Sequence, residues 1–99
     1  MTLQSSNEGS AVPSTIMTVD DSPSMRMLLR AALTDLGYEV FEAEDGAEAL
    51  ERLEGRVPDL LITDINMPRL DGFGLIEEVR KQPVHRNLPI LVLTTESSD

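Results

Sequence analysis

Four short apolar runs alternate strictly with three segments of helical periodicity, and this alternation limits the possible folds more than any other feature. The runs read TIMTV, YEVFEA, DLLIT and LPILVL, and the segments between them read SPSMRMLLRAALTDLG, DGAEALERLEG and DGFGLIEEVRKQ. Runs of this length and near-continuous apolar character are typical of strands buried on both faces. Strands separated by helices predict a parallel α/β sheet with right-handed crossovers and helices on both faces.

Apolar residues recur at helical spacing in each helical segment. The first segment carries Met25, Leu28, Leu29, Ala32, Leu33 and Leu36, the second Ala47, Leu50 and Leu53, and the third Phe73, Ile76 and Val79. We expect these residues to form the faces turned toward the core. Ser22 and Pro23 predict the start of the first helix, and Gly37 predicts its end.

Length, charge and composition narrow the class of protein. The 99 residues suit one domain, and the net charge of −10 argues against direct binding to nucleic acid. Cysteine is absent, which excludes disulfides, thiol catalysis and thiolate metal sites. The sequence has no apolar stretch of membrane-spanning length and no secretory signal, so we expect a cytoplasmic protein without a membrane partner. Residues 1–14 are polar and rich in serine, which predicts a disordered arm ahead of a domain over 15–99.

Acidic residues and hydroxyls stand where the predicted strands end. Asp20 and Asp21 close the first strand, Asp64 closes the third, and Thr94 and Thr95 close the fourth. In an open parallel sheet, the ligand crevice lies beyond the carboxyl ends of the strands, where the strand order reverses. If the first and third strands are neighbours there, three carboxylates converge. Their mutual repulsion would raise their pKa values unless a cation lies among them.

The chemistry of these side chains favours a hard divalent cation. All of the candidate ligands are oxygen atoms, which suits Mg²⁺ first and Mn²⁺ or Ca²⁺ as substitutes. No glycine-rich phosphate loop follows the first strand, so a phosphoryl group would enter together with the metal. A carboxylate could then act as a nucleophile and form an acyl phosphate. Taken singly, Asp21 could merely cap a helix and Asp64 could lie in a solvated turn, but capping alone does not explain acidic residues at several strand ends.

Three segments resemble the response-regulator receiver domain, the phosphoacceptor module of two-component signalling. VDDSPSMR resembles the paired acidic residues after the first strand of that family, LLITDINMPRLDG its phosphorylation-site strand, and LPILVLTTES its fourth strand with a hydroxyl residue. The resemblance runs from Thr15 to the end of the chain and is greatest to single-domain chemotaxis regulators. It implies a flavodoxin-like, doubly wound parallel sheet.

The resemblance also implies roles for individual residues. Asp64 would be the phosphoacceptor for the phosphohistidine of a histidine kinase. Asp20, Asp21 and Asp64 would hold Mg²⁺, with the backbone carbonyl of Asn66 as a further ligand. Thr94 would contact a phosphoryl oxygen and drive a switch between inactive and active states, although Thr95 could exchange places with it. The output partner would be the flagellar motor switch or another protein.

Two further residues, His85 and Arg26, lie outside this set of acidic and hydroxyl residues. His85 lies in the polar connection QPVHRNLP, and we expect a surface loop residue rather than a catalytic one. Arg26 follows the acidic pair by about one helical turn, and a surface contact to a kinase or phosphatase is one interpretation of it.

The carboxyl end departs from the family pattern. The resemblance implies an incomplete fold of four strands and three helices, without most of the fourth helix, the fifth strand with its lysine, and the fifth helix. We therefore expect phosphorylation with impaired switching. The bare edge of the fourth strand predicts a homo-oligomer, by domain swapping or another intertwined arrangement, unless the chain is a piece of a longer protein.

Two other functions are compatible with the same residues. One is a protein-interaction module that works without phosphorylation. The other is a metal-dependent phosphatase with an aspartyl nucleophile, which is disfavoured because Asn66 stands where such an enzyme needs a general acid. We expect a signalling domain that catalyses only its own aspartyl phosphorylation and dephosphorylation, and no turnover of an external substrate.

Overall fold

The predicted alternation of strands and helices is present in the structure. A computed structural model of the protein describes residues 14–67 and 69–93. The elements are β1 (Thr15–Val19), α1 (Pro23–Asp35), β2 (Glu39–Ala43), α2 (Gly46–Gly55), β3 (Leu60–Asp64), α3 (Gly72–Lys81), a 3-10 turn (Pro83–His85) and β4 (Ile90–Leu93). Residues 1–13 of the predicted arm, together with Thr94 and Thr95, lie outside the described residues. None of the helices described here is long and apolar enough to cross a membrane.

The sheet is parallel, with the strand order β2-β1-β3-β4. The chain moves from β1 to β2 on one side and then returns to place β3 on the other side of β1. In the register of these pairs, Val19 lies opposite both Ala43 and Thr63. The strand order therefore reverses between β1 and β3, so the condition for the three carboxylates to converge is met.

Side-chain caps fix where the three helices begin. The Ser22 hydroxyl accepts a hydrogen bond from the Met25 N–H, and Asp45 and Asp71 make the same type of bond at α2 and α3. These bonds satisfy N–H groups that have no partner inside the helix. At the amino ends of β1 and β3, the Asp59 carboxylate accepts bonds from the Ser14 N–H, the Ser14 hydroxyl and the Thr15 N–H. Ser14, which the sequence assigned to the arm, is thus joined to the entrance of β3.

The main core lies between the sheet and helices α2 and α3. It contains Met17, Val19, Ala43, Ala49, Leu53, Leu61, Met67, Leu75, Val79 and Leu88. The expectation for Phe73 was wrong, because this side chain is exposed while Leu75 is fully buried. Leu75 and Val79 are four residues apart and therefore share one helix face. Phe73, two positions before Leu75, points away from that face.

Helix α1 is less covered than its sequence predicted. Met25, Leu29 and Leu33 form the row that is partly buried, and no residue of α1 is fully buried. Leu28 and Leu36 are 64% and 71% exposed. They belong to a neighbouring row on the same helix, against which no described element packs. The apolar stripe is real, but only half of it faces the sheet.

His85 is buried, which corrects the expectation of a surface residue. The residue is only 5% exposed because the 3-10 turn directs it inward. The Arg80 guanidinium holds this turn by donating to the backbone carbonyls of His85 and Arg86, at 3.0 Å each. The sequence predicted a surface position because the residues next to His85 in the chain are polar.

Candidate functional site

Three carboxylates converge at the carboxyl ends of β1 and β3. Asp20, Asp21 and Asp64 each offer an oxygen, and these oxygens all lie within 4.8 Å of one another. Asp20 and Asp64 are buried, whereas Asp21 is exposed at the mouth. The convergence follows directly from the strand order, since β1 and β3 are adjacent at the reversal. Three acidic residues that the sequence singled out therefore form one cluster.

The backbone and side chain of Asp20 are held on several sides. Its N–H donates to the Ala43 carbonyl at 3.1 Å, and its carbonyl accepts a bond from Arg26 Nη1 at 2.6 Å. Its carboxylate Oδ1 accepts from the Ser22 N–H at 2.8 Å. Burial raises the pKa of the Asp20 carboxyl, and the charges of Asp64 and Asp21 add to the rise, although the Ser22 N–H and Arg26 oppose it. A negative charge at Asp20 is thus costly without a neighbouring cation.

Asp64 occupies the last position of β3, opposite Leu93 of β4. Its Oδ1 accepts a hydrogen bond from the Ile65 N–H at 2.8 Å. The next turn closes beneath it, because the Gly72 N–H donates to the Ile65 carbonyl at 2.8 Å. A Cβ atom on Gly72 would lie 2.4 Å from the Asp64 carbonyl oxygen. The backbone of Asp64 and the start of α3 are therefore in direct contact.

The loop after Asp64 is also attached to the start of α2, which sequence reasoning missed. Arg69 Nε and Nη2 donate to the two carboxylate oxygens of Asp45, at 2.9 Å each. The Gly46 N–H donates to the Leu70 carbonyl at 3.2 Å. The Glu48 N–H and the Arg69 guanidinium hold the pKa of the Asp45 carboxyl below its ordinary value. Asp45 and Arg69 are 24 residues apart, so no local pattern reveals this pair.

The left-handed backbone of Arg69 is a further feature of this loop. Its φ is +68°, a region that costs most side chains about 1 kcal/mol or more. The bidentate bond to Asp45 is the kind of contact that offsets such a cost. The loop that carries Asn66 is therefore fixed at Arg69 as well as at Gly72. The Asn66 carbonyl as a metal ligand stays a prediction, and Thr94 lies outside the described residues.

The donor set fits a hard divalent cation. Carboxylate oxygens are the preferred ligands of Mg²⁺, and two of the three groups are shielded from water. Burial first, and then the charges of Asp64 and Asp21, raise the pKa of Asp20, so a nearby positive charge would favour its ionised form. A divalent cation among these oxygens would supply the opposite charge. Asp20, Asp21 and Asp64 are the residues that could hold it.

Comparisons with known proteins agree with this arrangement. The sequence model of the response regulator receiver domain matches residues 16–99. Chemotaxis protein CheY1 of Helicobacter pylori is 43% identical over 83 residues, which cover 82% of this chain and 67% of that protein. Sensor protein EvgS of Escherichia coli K12 is 46% identical over 82 residues, which cover 83% of this chain. The chain spans only 7% of the length of EvgS.

Solved structures show the same fold. Chemotaxis response regulator CheY4 of Vibrio cholerae superposes with a TM-score of 0.82 at 42% identity, covering 88% of this chain and 72% of that one. The receiver domain of sensor histidine kinase PA1611 from Pseudomonas aeruginosa, with a magnesium ion coordinated in its active site cleft, gives 0.80 at 33% identity, covering 86% and 70%. A matching chain from the complex of histidine kinase ThkA with response regulator TrrA gives 0.77 at 39% identity, covering 86% and 72%. This chain belongs to the response-regulator receiver family of two-component signalling.

Proposed function

We propose that this chain accepts a phosphoryl group on Asp64 from a histidine kinase, with Mg²⁺ in the acidic pocket, in a pathway of chemotaxis type. The observation that carries the proposal is the convergence of Asp20, Asp21 and Asp64 at the point where the strand order reverses. The magnesium ion in the PA1611 receiver and the kinase in the ThkA–TrrA complex support it. The likeness to CheY1 and CheY4 supports the chemotaxis assignment, with a motor-switch or similar protein as output partner.

The residues of the pocket have two roles, which are to hold the cation and to keep the carboxylate oxygens in place. Mg²⁺, when bound, would neutralise part of the negative charge and orient the oxygens of the incoming phosphoryl group. Asp20 and Asp21 would hold the ion, together with Asp64 and the Asn66 carbonyl. The Ser22 N–H keeps one oxygen of Asp20 in place, at 2.8 Å. The Ile65 N–H does the same for one oxygen of Asp64, at 2.8 Å.

Phosphoryl transfer then needs only a nucleophile and a leaving group. An oxygen of the Asp64 carboxylate attacks the phosphorus of phosphohistidine, and an O–P bond forms while the P–N bond breaks. The electron pair of the P–N bond stays on the imidazole of the kinase, which takes up a proton from water. The product is an aspartyl phosphate. Thr94 would contact one of its phosphoryl oxygens. Water later attacks the phosphorus of this acyl phosphate, and the O–P bond to Asp64 breaks, which releases inorganic phosphate and restores the carboxylate.

A small acyl phosphate tests the proposal without a kinase. We expect incubation with acetyl phosphate and Mg²⁺ to add one phosphoryl group to the peptide that contains Asp64, detected by mass spectrometry. Chelation with EDTA should prevent the addition, and so should Asp64→Asn. Asp35→Asn, which changes an exposed carboxylate at the end of α1, should leave it intact.

Two other outcomes of this experiment would contradict the proposal. A wild-type chain that gains no mass under these conditions would favour the interaction module that works without phosphorylation. Continuous release of phosphate from simple phosphate esters would instead indicate a phosphatase. The position of Asn66 argues against the phosphatase, because a carboxamide does not donate a proton as a carboxylic acid does.

We also propose that β4 pairs with another copy of the chain. Among the described strands, β4 is the last on its side of the sheet, and its Leu91 is 51% exposed. An edge strand with an apolar side chain and unpaired backbone groups favours strand addition or exchange between chains.

Light scattering with size-exclusion chromatography tests the association. We expect a dimer or larger species, and Leu91→Lys should shift it toward the monomer because a charge on an edge strand opposes pairing. Leu28→Lys, at an exposed apolar position on α1, is the matched control and should not change the mass. A wild-type monomer that unfolds cooperatively at all concentrations would contradict the proposal.

A further inference from the structure

We infer that Arg26 is a positioning residue for the cation site, which acts by holding the backbone of Asp20 and is itself held by Glu42. This inference rests on the proposed function, since it concerns how the same acidic pocket is kept ready for Mg²⁺. It differs from the surface role suggested by the sequence, because the Arg26 side chain is only 17% exposed. Arg26 touches Asp20 through the peptide carbonyl and is not itself a cation ligand.

The contact between Arg26 and Asp20 connects α1 to the end of β1. Arg26 lies in the first turns of α1, and its Nη1 donates to the Asp20 carbonyl at 2.6 Å. The opposite side of the same residue is fixed by the Asp20 N–H, which donates to the Ala43 carbonyl of β2 at 3.1 Å. Both backbone polar groups of Asp20 are therefore bonded. The direction in which its side chain leaves the backbone is set by these two bonds.

Glu42 fixes the guanidinium in turn. Its Oε1 lies 3.5 Å from Arg26 Nε, and its Oε2 accepts a bond from Arg30 Nε at 2.5 Å. Glu42 directly precedes Ala43, whose carbonyl holds the Asp20 N–H. One short stretch of β2 thus supplies both the carbonyl that binds Asp20 and the carboxylate that binds Arg26. A planar guanidinium with several donors suits this double contact better than an ammonium group.

The sign of the effect separates positioning from simple electrostatics. Arg26 carries a positive charge beside a site for a cation, and like charges repel. If Arg26 acted only through its charge, its removal would leave Mg²⁺ affinity unchanged or increase it. If Arg26 positions Asp20, its removal frees the Asp20 carbonyl and carboxylate to move, and Mg²⁺ affinity falls. The two roles therefore predict opposite changes.

Mg²⁺ affinity can be measured by isothermal titration calorimetry or by NMR titration of the Asp20 and Asp21 amides, in both cases without a phosphodonor. We expect Arg26→Gln to weaken Mg²⁺ binding about tenfold, as is typical when a partner of a metal ligand is lost. Arg26→Lys should recover part of the loss, because an ammonium group retains a donor for the Asp20 carbonyl.

Arg52→Gln is the matched control for the loss of a positive charge. Arg52 lines the same shallow groove as Arg26, but its partner is Glu48, to which it donates at 2.8 Å. This variant should bind Mg²⁺ at least as tightly as the wild type. At saturating Mg²⁺, phosphorylation of Arg26→Gln by acetyl phosphate should return to the wild-type rate, since only ligand placement is impaired.

The outcomes distinguish this inference from the proposed function. Unchanged or tighter Mg²⁺ binding by both Arg26→Gln and Arg26→Lys would overturn the positioning role and leave the proposed function standing. A wild-type chain that binds no Mg²⁺ would overturn the proposed function itself. Far-ultraviolet circular dichroism of each variant shows whether it is folded, and Arg26→Lys keeps the test decisive if Arg26→Gln does not fold, because lysine preserves the positive charge and alters the contact with Asp20.

Discussion

Replacing Gly72 with alanine is expected to destabilise the fold by about 1 to 3 kcal/mol, the range for forcing an extra methyl group into a packed site. The new Cβ would lie 2.4 Å from the Asp64 carbonyl oxygen and 2.9 Å from the Ile65 Cα. Both atoms belong to the backbone, so no side chain can rotate to make room. Either α3 or the end of β3 must shift.

This shift would disturb function as well as stability. The Gly72 N–H donates to the Ile65 carbonyl at 2.8 Å, and the Ile65 N–H holds the Asp64 carboxylate at 2.8 Å. A displacement at Gly72 therefore reaches the proposed nucleophile through two consecutive contacts. We expect the folded fraction of Gly72→Ala to phosphorylate more slowly than the wild type at equal Mg²⁺ saturation.

Urea unfolding followed by circular dichroism provides the measurement, with Gly55→Ala as the matched control. Gly55 ends α2, and a Cβ added there would meet nothing within 4 Å. Because alanine favours the helix over glycine, the control should be neutral or more stable by up to about 1 kcal/mol. Equal stabilities of the two variants would show that the close approach at Gly72 is relieved without cost.

The alternation of strands and helices was predictable from sequence because it depends on local patterns, whereas the adjacency of β1 and β3 was a condition that only the family resemblance supported. Apolar runs and caps identify the elements, and the handedness of crossovers between parallel strands leaves few arrangements of four strands. Once β1 and β3 are neighbours, the residues that follow them must meet. The convergence of Asp20, Asp21 and Asp64 could therefore be predicted without knowledge of side-chain packing.

Long-range packing was not predictable in the same way. The Arg69–Asp45 pair and the contact of Arg26 with the Asp20 carbonyl depend on how loops and helices settle on the sheet. Periodicity identified the apolar stripe of α1 but did not show that Leu28 would stay exposed. It also could not show that His85 turns inward, because polar neighbours in the sequence are not its neighbours in space.

Asp20→Asn is expected to be more stable than the wild type when Mg²⁺ is absent, and less stable than the wild type when Mg²⁺ is present. Burial, together with the charges of Asp64 and Asp21, raises the pKa of the Asp20 carboxyl in the folded chain. A raised carboxyl pKa means that the ionised group opposes folding at pH values above it. Asparagine removes this charge, while its Oδ1 can still accept the bond from the Ser22 N–H. In EDTA at neutral pH, Asp20→Asn should therefore unfold at a higher urea concentration than the wild type.

The advantage of Asp20→Asn should depend on pH with a defined sign. Below the ordinary carboxyl value of 3.8, Asp20 is protonated in both folded and unfolded chains, so the wild type carries no penalty and the difference disappears. As the pH rises through the raised folded value, the wild type loses stability relative to the variant. Glu51→Gln, which changes an exposed carboxylate of α2, should show no comparable difference.

Saturating Mg²⁺ should invert the comparison at neutral pH. A ligand that binds only the folded chain stabilises it in proportion to the logarithm of its concentration above the dissociation constant. Wild type gains this stabilisation, whereas Asp20→Asn loses a cation ligand and should bind Mg²⁺ more than about a hundredfold more weakly, beyond the usual effect of losing an outer partner. The urea midpoint of Asp20→Asn should thus lie above that of the wild type in EDTA and below it in saturating Mg²⁺. Parallel curves, with Asp20→Asn gaining as much from Mg²⁺ as the wild type, would mean that Asp20 balances charge in the pocket without binding the ion.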